Sequence, residues 1–88
     1  MNTAFILLAQ YGARAVIPFE FVCRDYFSHL KPEKLLEKIS RGEVGLPVVR
    51  IEGSQKSAKG VTVQALAEYI DDRAAAAKKE RDQLTGAV

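Results

Sequence analysis

Residues 3–11, TAFILLAQY, are apolar nearly all round, so periodicity alone does not separate a helix from a buried strand here. Thr3 is placed to cap a short helix and Gly12 to end it, which favours helix. Ala15-Val16-Ile17 is short and β-leaning. Phe19, Val22, Cys23 and Tyr26 then recur at three-to-four spacing, one face of a helix, with Pro18 suited to its first turn. Ser28 to Lys31 reads as a turn. Pro32 opens a second helix over 32–42, with Leu35, Leu36 and Ile39 as its inner stripe and Gly42 at its end. Lys31 stands where a Ser or Thr cap would serve better.

The pattern then changes period. Leu46 to Glu52 reads as a strand with Pro47 at its start, where no ladder donor is lost. Gly53 to Gly60 holds no acid and no bulky apolar residue, as the tip of a hairpin with a very short return strand would. Residues 15–17 are placed to add a third strand beside that hairpin. Thr62 caps a last helix whose inner face is Val63, Leu66, Ala67 and Ile70. Past Asp72 the sequence RAAAAKKERDQ keeps helical propensity and loses its large apolar side chains. The expected organisation is a single domain over residues 1–84 with a flexible tail at 85–88. Helix, turn, helix, basic hairpin and long C-terminal helix make an α+β, mostly helical chain with the plan of a winged helix-turn-helix.

Composition narrows the function classes. The chain has 88 residues, 48% hydrophobic and 27% charged, as a small folded domain does. Its longest apolar run, Ala4 to Ala9, falls short of the ~18–20 residues of a membrane span and is a poor signal peptide. With free Cys23, this points to a cytoplasmic protein. One cysteine and one histidine exclude disulfide frameworks and multi-histidine metal sites. His29 falls in the turn and Cys23 on an apolar helix face, so neither is placed as a catalytic group. No phosphate-binding glycine motif or acidic metal loop occurs, and neither an enzyme nor a cofactor is expected.

The net charge of +2 says little until its distribution is read. Residues 31–60 carry seven basic and four acidic side chains, whereas 61–88 carry four and five. On the second helix, Lys34, Lys38 and Arg41 lie opposite the apolar stripe, a row that can lie along a DNA major groove. Glu33 and Glu37, which flank them, can pair with Lys38 and Arg41 or read cytosine amino groups. The same alternation also fits an ordinary solvated helix face. The hairpin supplies Ser54, Gln55, Lys56 and Lys59, phosphate- and base-edge groups, and Lys31 and Arg50 extend the patch. Helix and loop together favour double-stranded DNA as the partner. Phe5, Ile6, Leu7 and Leu8 exceed what a short helix on a small core needs, and either close the core or form a homodimer or oligomer interface.

The strings Gln10-Tyr11-Gly12, Arg24-Asp25-Tyr26-Phe27, Leu46-Pro47-Val48-Val49-Arg50 and Ser54-Gln55-Lys56 resemble the pyocin activator protein (PrtN) family, with the match running to about residue 74. The resemblance implies a bacterial, prophage-related transcriptional activator that binds short repeated DNA elements upstream of bacteriocin genes. At the level of fold alone, the architecture is similar to excisionase- and MerR-like winged helices. How binding becomes activation stays open among recruitment of RNA polymerase, antitermination, and DNA bending as an excisionase bends it. A partner-binding adaptor without direct DNA readout is the remaining alternative. Glu68, Asp71 and Asp72 form an acidic cluster that suits a polymerase-facing surface.

Overall fold

The computed structural model describes residues 2–53 and 57–86. In chain order these form α1 (Thr3–Gln10), β1 (Val16–Pro18), α2 (Phe19–Tyr26), α3 (Pro32–Ser40), β2 (Val49–Arg50), β3 (Lys59–Thr62) and α4 (Val63–Thr85). The fold is α+β, with a three-stranded antiparallel sheet in the order β1-β3-β2.

The helix ends follow local chemistry. Asn2, not Thr3, caps α1: its side-chain oxygen accepts from the Ala4 N–H at 2.7 Å. Thr3 is instead the first helical residue, and its hydroxyl donates to Asp71 Oδ1 at 2.6 Å, tying α1 to α4. Pro18 belongs to β1 and immediately precedes α2 rather than lying inside its first turn. Lys31 precedes Pro32 at the start of α3 with no side-chain cap. Helix α3 ends at Ser40, two residues short of the expected 42. Arg41 is its C-cap, and Gly42 takes φ +76°, a conformation L side chains rarely adopt. There the Glu43 N–H reaches Lys38 O at 2.9 Å and the Gly42 N–H reaches Ile39 O at 3.0 Å, a Schellman closure. Thr62 caps α4 as expected, accepting from the Ala65 N–H at 3.0 Å.

The sheet departs most from expectation. Of the expected 46–52 strand only Val49 and Arg50 form β2, with the Ile51 N–H adding one bond to the Ala58 carbonyl at 3.0 Å. The return strand, expected to be very short, is the four-residue β3, and it occupies the centre of the sheet. The β-leaning segment does add the third strand: Ile17 pairs opposite Val61, and both are fully buried. Gly60 lies between Pro18 on one side and Val49 on the other. A Cβ there would stand 2.7 Å from the Ile17 carbonyl oxygen and against a Val16 methyl, so close strand approach requires glycine.

Leu7, Ile17, Val22, Leu35, Val61 and Leu66 form the centre of the core, joined by Tyr11, Phe19, Cys23, Phe27, Leu46, Val63 and Ala67. Each helix thus delivers its apolar side to one cluster, and burial of each large side chain stabilises by roughly 1.5–3 kcal/mol. Leu7, one of the residues open to either core closure or self-association, is 1% exposed and belongs to this core. Helix α4 runs on beyond it. Val63, Leu66 and Ala67 are buried, whereas residues 71–81 are exposed throughout. Thr85, expected in a flexible tail, is the last residue of α4. Its hydroxyl bonds the Arg81 carbonyl at 3.0 Å, and Gly86 caps the helix at φ +72°. Residues 87–88 lie outside the described residues.

Candidate nucleic-acid interface

The basic row of α3 lies on the outer face of a helix anchored by fully buried Leu35. None of its cations stands apart from acid. Lys34 Nζ lies 3.3 Å from Glu37 Oε2, and Arg41 reaches the same oxygen at 3.7 Å. Lys38 lies 3.6 Å from Glu43, and Arg41 a further 3.3 Å from it. These side chains are 40–67% exposed. Such pairs contribute about 0–1 kcal/mol each, so an incoming phosphate exchanges with the carboxylates at little cost. Glu37 and Glu43 therefore hold the cations loosely in place.

Lys31 is exposed at the start of α3. Arg50 on β2 and Lys59 on β3 are cross-strand partners. Directly opposed residues of an antiparallel pair project from the same sheet face, so the two basic side chains share one face of the hairpin. Ser54, Gln55 and Lys56 lie outside the described residues.

At the junction of α1 and α2 the structure builds a network that the reading of candidate sites did not include. Tyr11 is buried and its hydroxyl donates to Asp25 Oδ2 at 2.6 Å. Arg24 donates through Nε to Asp25 Oδ1 at 2.8 Å and through a terminal nitrogen to Oδ2 at 3.1 Å. Tyr26 donates to Gln10 Oε1 at 2.9 Å. The Arg24 and Tyr11 hydrogen bonds hold the Asp25 carboxyl below its ordinary range. Burial first, then the Asp25 hydrogen bond, pushes the Tyr11 phenol well up, so it remains a donor. Burial also raises Cys23, whose thiol donates to Leu30 O at 3.2 Å. This fits a packing role rather than a nucleophile's.

Phe5 is 67% and Ile6 49% exposed, and Leu8 is half-buried against the core. The self-association candidates are thus reduced to one exposed pair. In the acidic cluster, Asp71 is engaged by Thr3, while Glu68 and Asp72 are exposed. No helix among the described residues is long and apolar enough to cross a membrane.

The sequence profile of the pyocin activator protein family, PrtN, matches residues 3–77. The chain belongs to the pyocin activator family. That match covers every element up to the exposed half of α4, and it points to a transcriptional activator of pyocin genes. No curated protein and no solved structure matches the chain.

Proposed function

We propose that this pyocin activator works as a sequence-specific DNA-binding protein of winged helix-turn-helix type. Helices α2 and α3, joined through residues 27–31, act as the helix-turn-helix, with α3 lying in the major groove. Lys34, Lys38 and Arg41 contact bases or phosphates there, with Lys31 on the backbone at the helix start. The hairpin β2–β3 is the wing, with Arg50 and Lys59 and, on sequence grounds, Ser54, Gln55 and Lys56 on the backbone and adjacent groove. The observation that carries this reading is the outer row of α3, where Lys34, Lys38 and Arg41 share one solvent-facing side and are held only by exposed, exchangeable pairs with Glu37 and Glu43. That row stands in a member of an activator family.

A second copy docks through Phe5 and Ile6, the large apolar residues that α1 leaves in solvent. Two copies would place two α3 helices on paired half-sites. RNA polymerase is proposed as the further partner, met by Glu68 and Asp72.

The test is anisotropy binding to a duplex from upstream of a pyocin gene, across ~50–200 mM salt. Changing Arg50 and Lys59 together to Gln is expected to make the slope of log affinity against log salt shallower by about 2, at unchanged sequence preference. Changing Lys34 and Lys38 to Gln is expected to weaken binding, with preference lost at any base position read directly. Wild-type affinity and slope in both variants would contradict the assignment of helix and wing.

A further inference from the structure

The α1–α2 junction contains a second concentration of cations, remote in sequence from the hairpin. Arg14 follows α1, and Arg24 lies in the last turn of α2. Both guanidiniums lie over the Phe21 ring, Arg24 at 4.8 Å and Arg14 at 5.8 Å from its centroid. With Gln10, Tyr11 and Asp25 they line an open cleft of about 330 Å³.

Arg24 is fixed here in a way no cation of α3 is. Asp25 takes two of its N–H groups, Tyr11 holds Asp25 from the buried side, and Phe21 supports the guanidinium plane. The rest of its five donors stay available to the cleft, and the side chain remains 64% exposed. A guanidinium that lies over a ring and is bonded on one edge by a carboxylate is partly ordered before an anion arrives, so binding costs less further order. Arg14 adds a second exposed charge on the same ring, and Asp25 is the only carboxylate lining the cleft among the described residues.

Arg24 also lines the neighbouring groove with Glu20, Cys23, Ser28, Leu30 and Pro32, which leads to the start of α3. Arg24 thus stands between the basic cleft and a groove that reaches Leu30 and Pro32, the residues on either side of Lys31.

We infer that the Arg14–Phe21–Arg24 cleft is a phosphate-binding site for the DNA backbone, outside the α3 groove contact and the wing. It rests on the DNA-binding reading and extends the footprint along one strand. Arg24 engages one phosphate from a fixed position, and Arg14 closes on the next from the loop. Tyr11 and Asp25 are positioning residues that hold Arg24.

The experiment uses the full chain and two duplexes of equal length, one from upstream of a pyocin gene and one scrambled. Arg14→Gln with Arg24→Gln is compared with wild type across ~50–200 mM salt. The expected result is a slope shallower by about 1.8, affinity near 100 mM salt lower by roughly sixtyfold, and an unchanged ratio between the two duplexes. Arg14→Gln alone alters one exposed side chain and is expected to give about half the slope change. It serves as the reporter if the double variant fails to melt cooperatively. Wild-type slope and affinity in variants that melt like wild type would overturn the cleft and leave the DNA-binding reading intact. A collapsed ratio with an unchanged slope would also overturn it, because the arginines would then read bases. If the wild-type protein binds neither duplex, the DNA-binding reading itself fails, and the cleft fails with it.

Discussion

Helix α3 and the α1–α2 junction both present arginine or lysine to solvent, yet they hold these charges in opposite ways. On α3 every cation of the outer row leans on an exposed glutamate within the same turn or just past the helix end. At the junction, Arg24 is fixed by a carboxylate that a buried tyrosine in turn fixes from another helix. The difference is one of preorganisation. Exposed pairs rearrange freely and suit a surface that must adapt to base edges. A clamped guanidinium keeps one geometry and suits the invariant spacing of a backbone.

The largest expected effect comes from unseating α3. Leu35 is fully buried on its inner face, and Leu35→Ala should cost about 2–5 kcal/mol, read by urea denaturation. A smaller loss would mean that α3 is held by its outer ion pairs after all.

Next is the three-stranded sheet that carries the β2–β3 hairpin. Gly60→Ala forces a methyl against the Ile17 carbonyl and Val16, and should cost about 1–3 kcal/mol. The same substitution at Gly53, where a Cβ meets nothing within 4 Å, should change stability by less than about 0.5 kcal/mol.

Tyr11→Phe isolates the clamp. It removes the donor to Asp25 and should cost about 1–2 kcal/mol at neutral pH. The pH dependence follows from the sign of the Asp25 shift. Its carboxyl is lowered on folding, so its contribution is complete above the ordinary value of 3.8 and disappears as pH falls through the lowered one. The difference in Tm between wild type and Asp25→Asn should therefore hold from pH 7 to about 5 and close below pH 3.8. A gap that persists in acid would make the clamp a matter of packing alone.

The smallest effect on stability is expected on α3 itself. Glu37→Gln releases Lys34 and Arg41 and should change stability by less than about 0.5 kcal/mol. It should also strengthen duplex binding, since a negative charge leaves the interface. Weaker binding would assign Glu37 to base readout.

Much of this arrangement was legible in the sequence. The stripe of Leu35, Leu36 and Ile39, the Thr62 cap, the glycine end of α3 and the third strand at 15–17 follow from spacing and local hydrogen bonding. So does the burial of Cys23. What was not legible depends on which strands meet. Residues 59–62 lack the length of an obvious strand and take the centre of the sheet because β1 and β2 flank them. The Asn2 cap was missed because Thr3, an equally good cap by type, is drawn to Asp71, 68 residues away.

The junction network escaped for the same reason. Tyr11 and Asp25 are separated by 14 residues and two element boundaries, so no local pattern brings them together. The available signal was indirect. The strings Gln10-Tyr11-Gly12 and Arg24-Asp25-Tyr26-Phe27 carried the family resemblance, and they supply both sides of the network. On α3 the alternating charge was legible, but the reach of Arg41 and Lys38 to Glu43 depends on the Schellman turn that folds Glu43 back.

The measurement that bears most directly on the central claim is wild-type binding to an upstream pyocin-gene duplex and its scrambled counterpart across ~50–200 mM salt. A DNA-binding activator with α3 and wing on the backbone predicts clear preference for the upstream duplex and a slope of about −4 or steeper, the counterion release of four or more phosphate contacts. Equal, salt-insensitive binding, or no binding to either duplex at 50 mM salt, would contradict it.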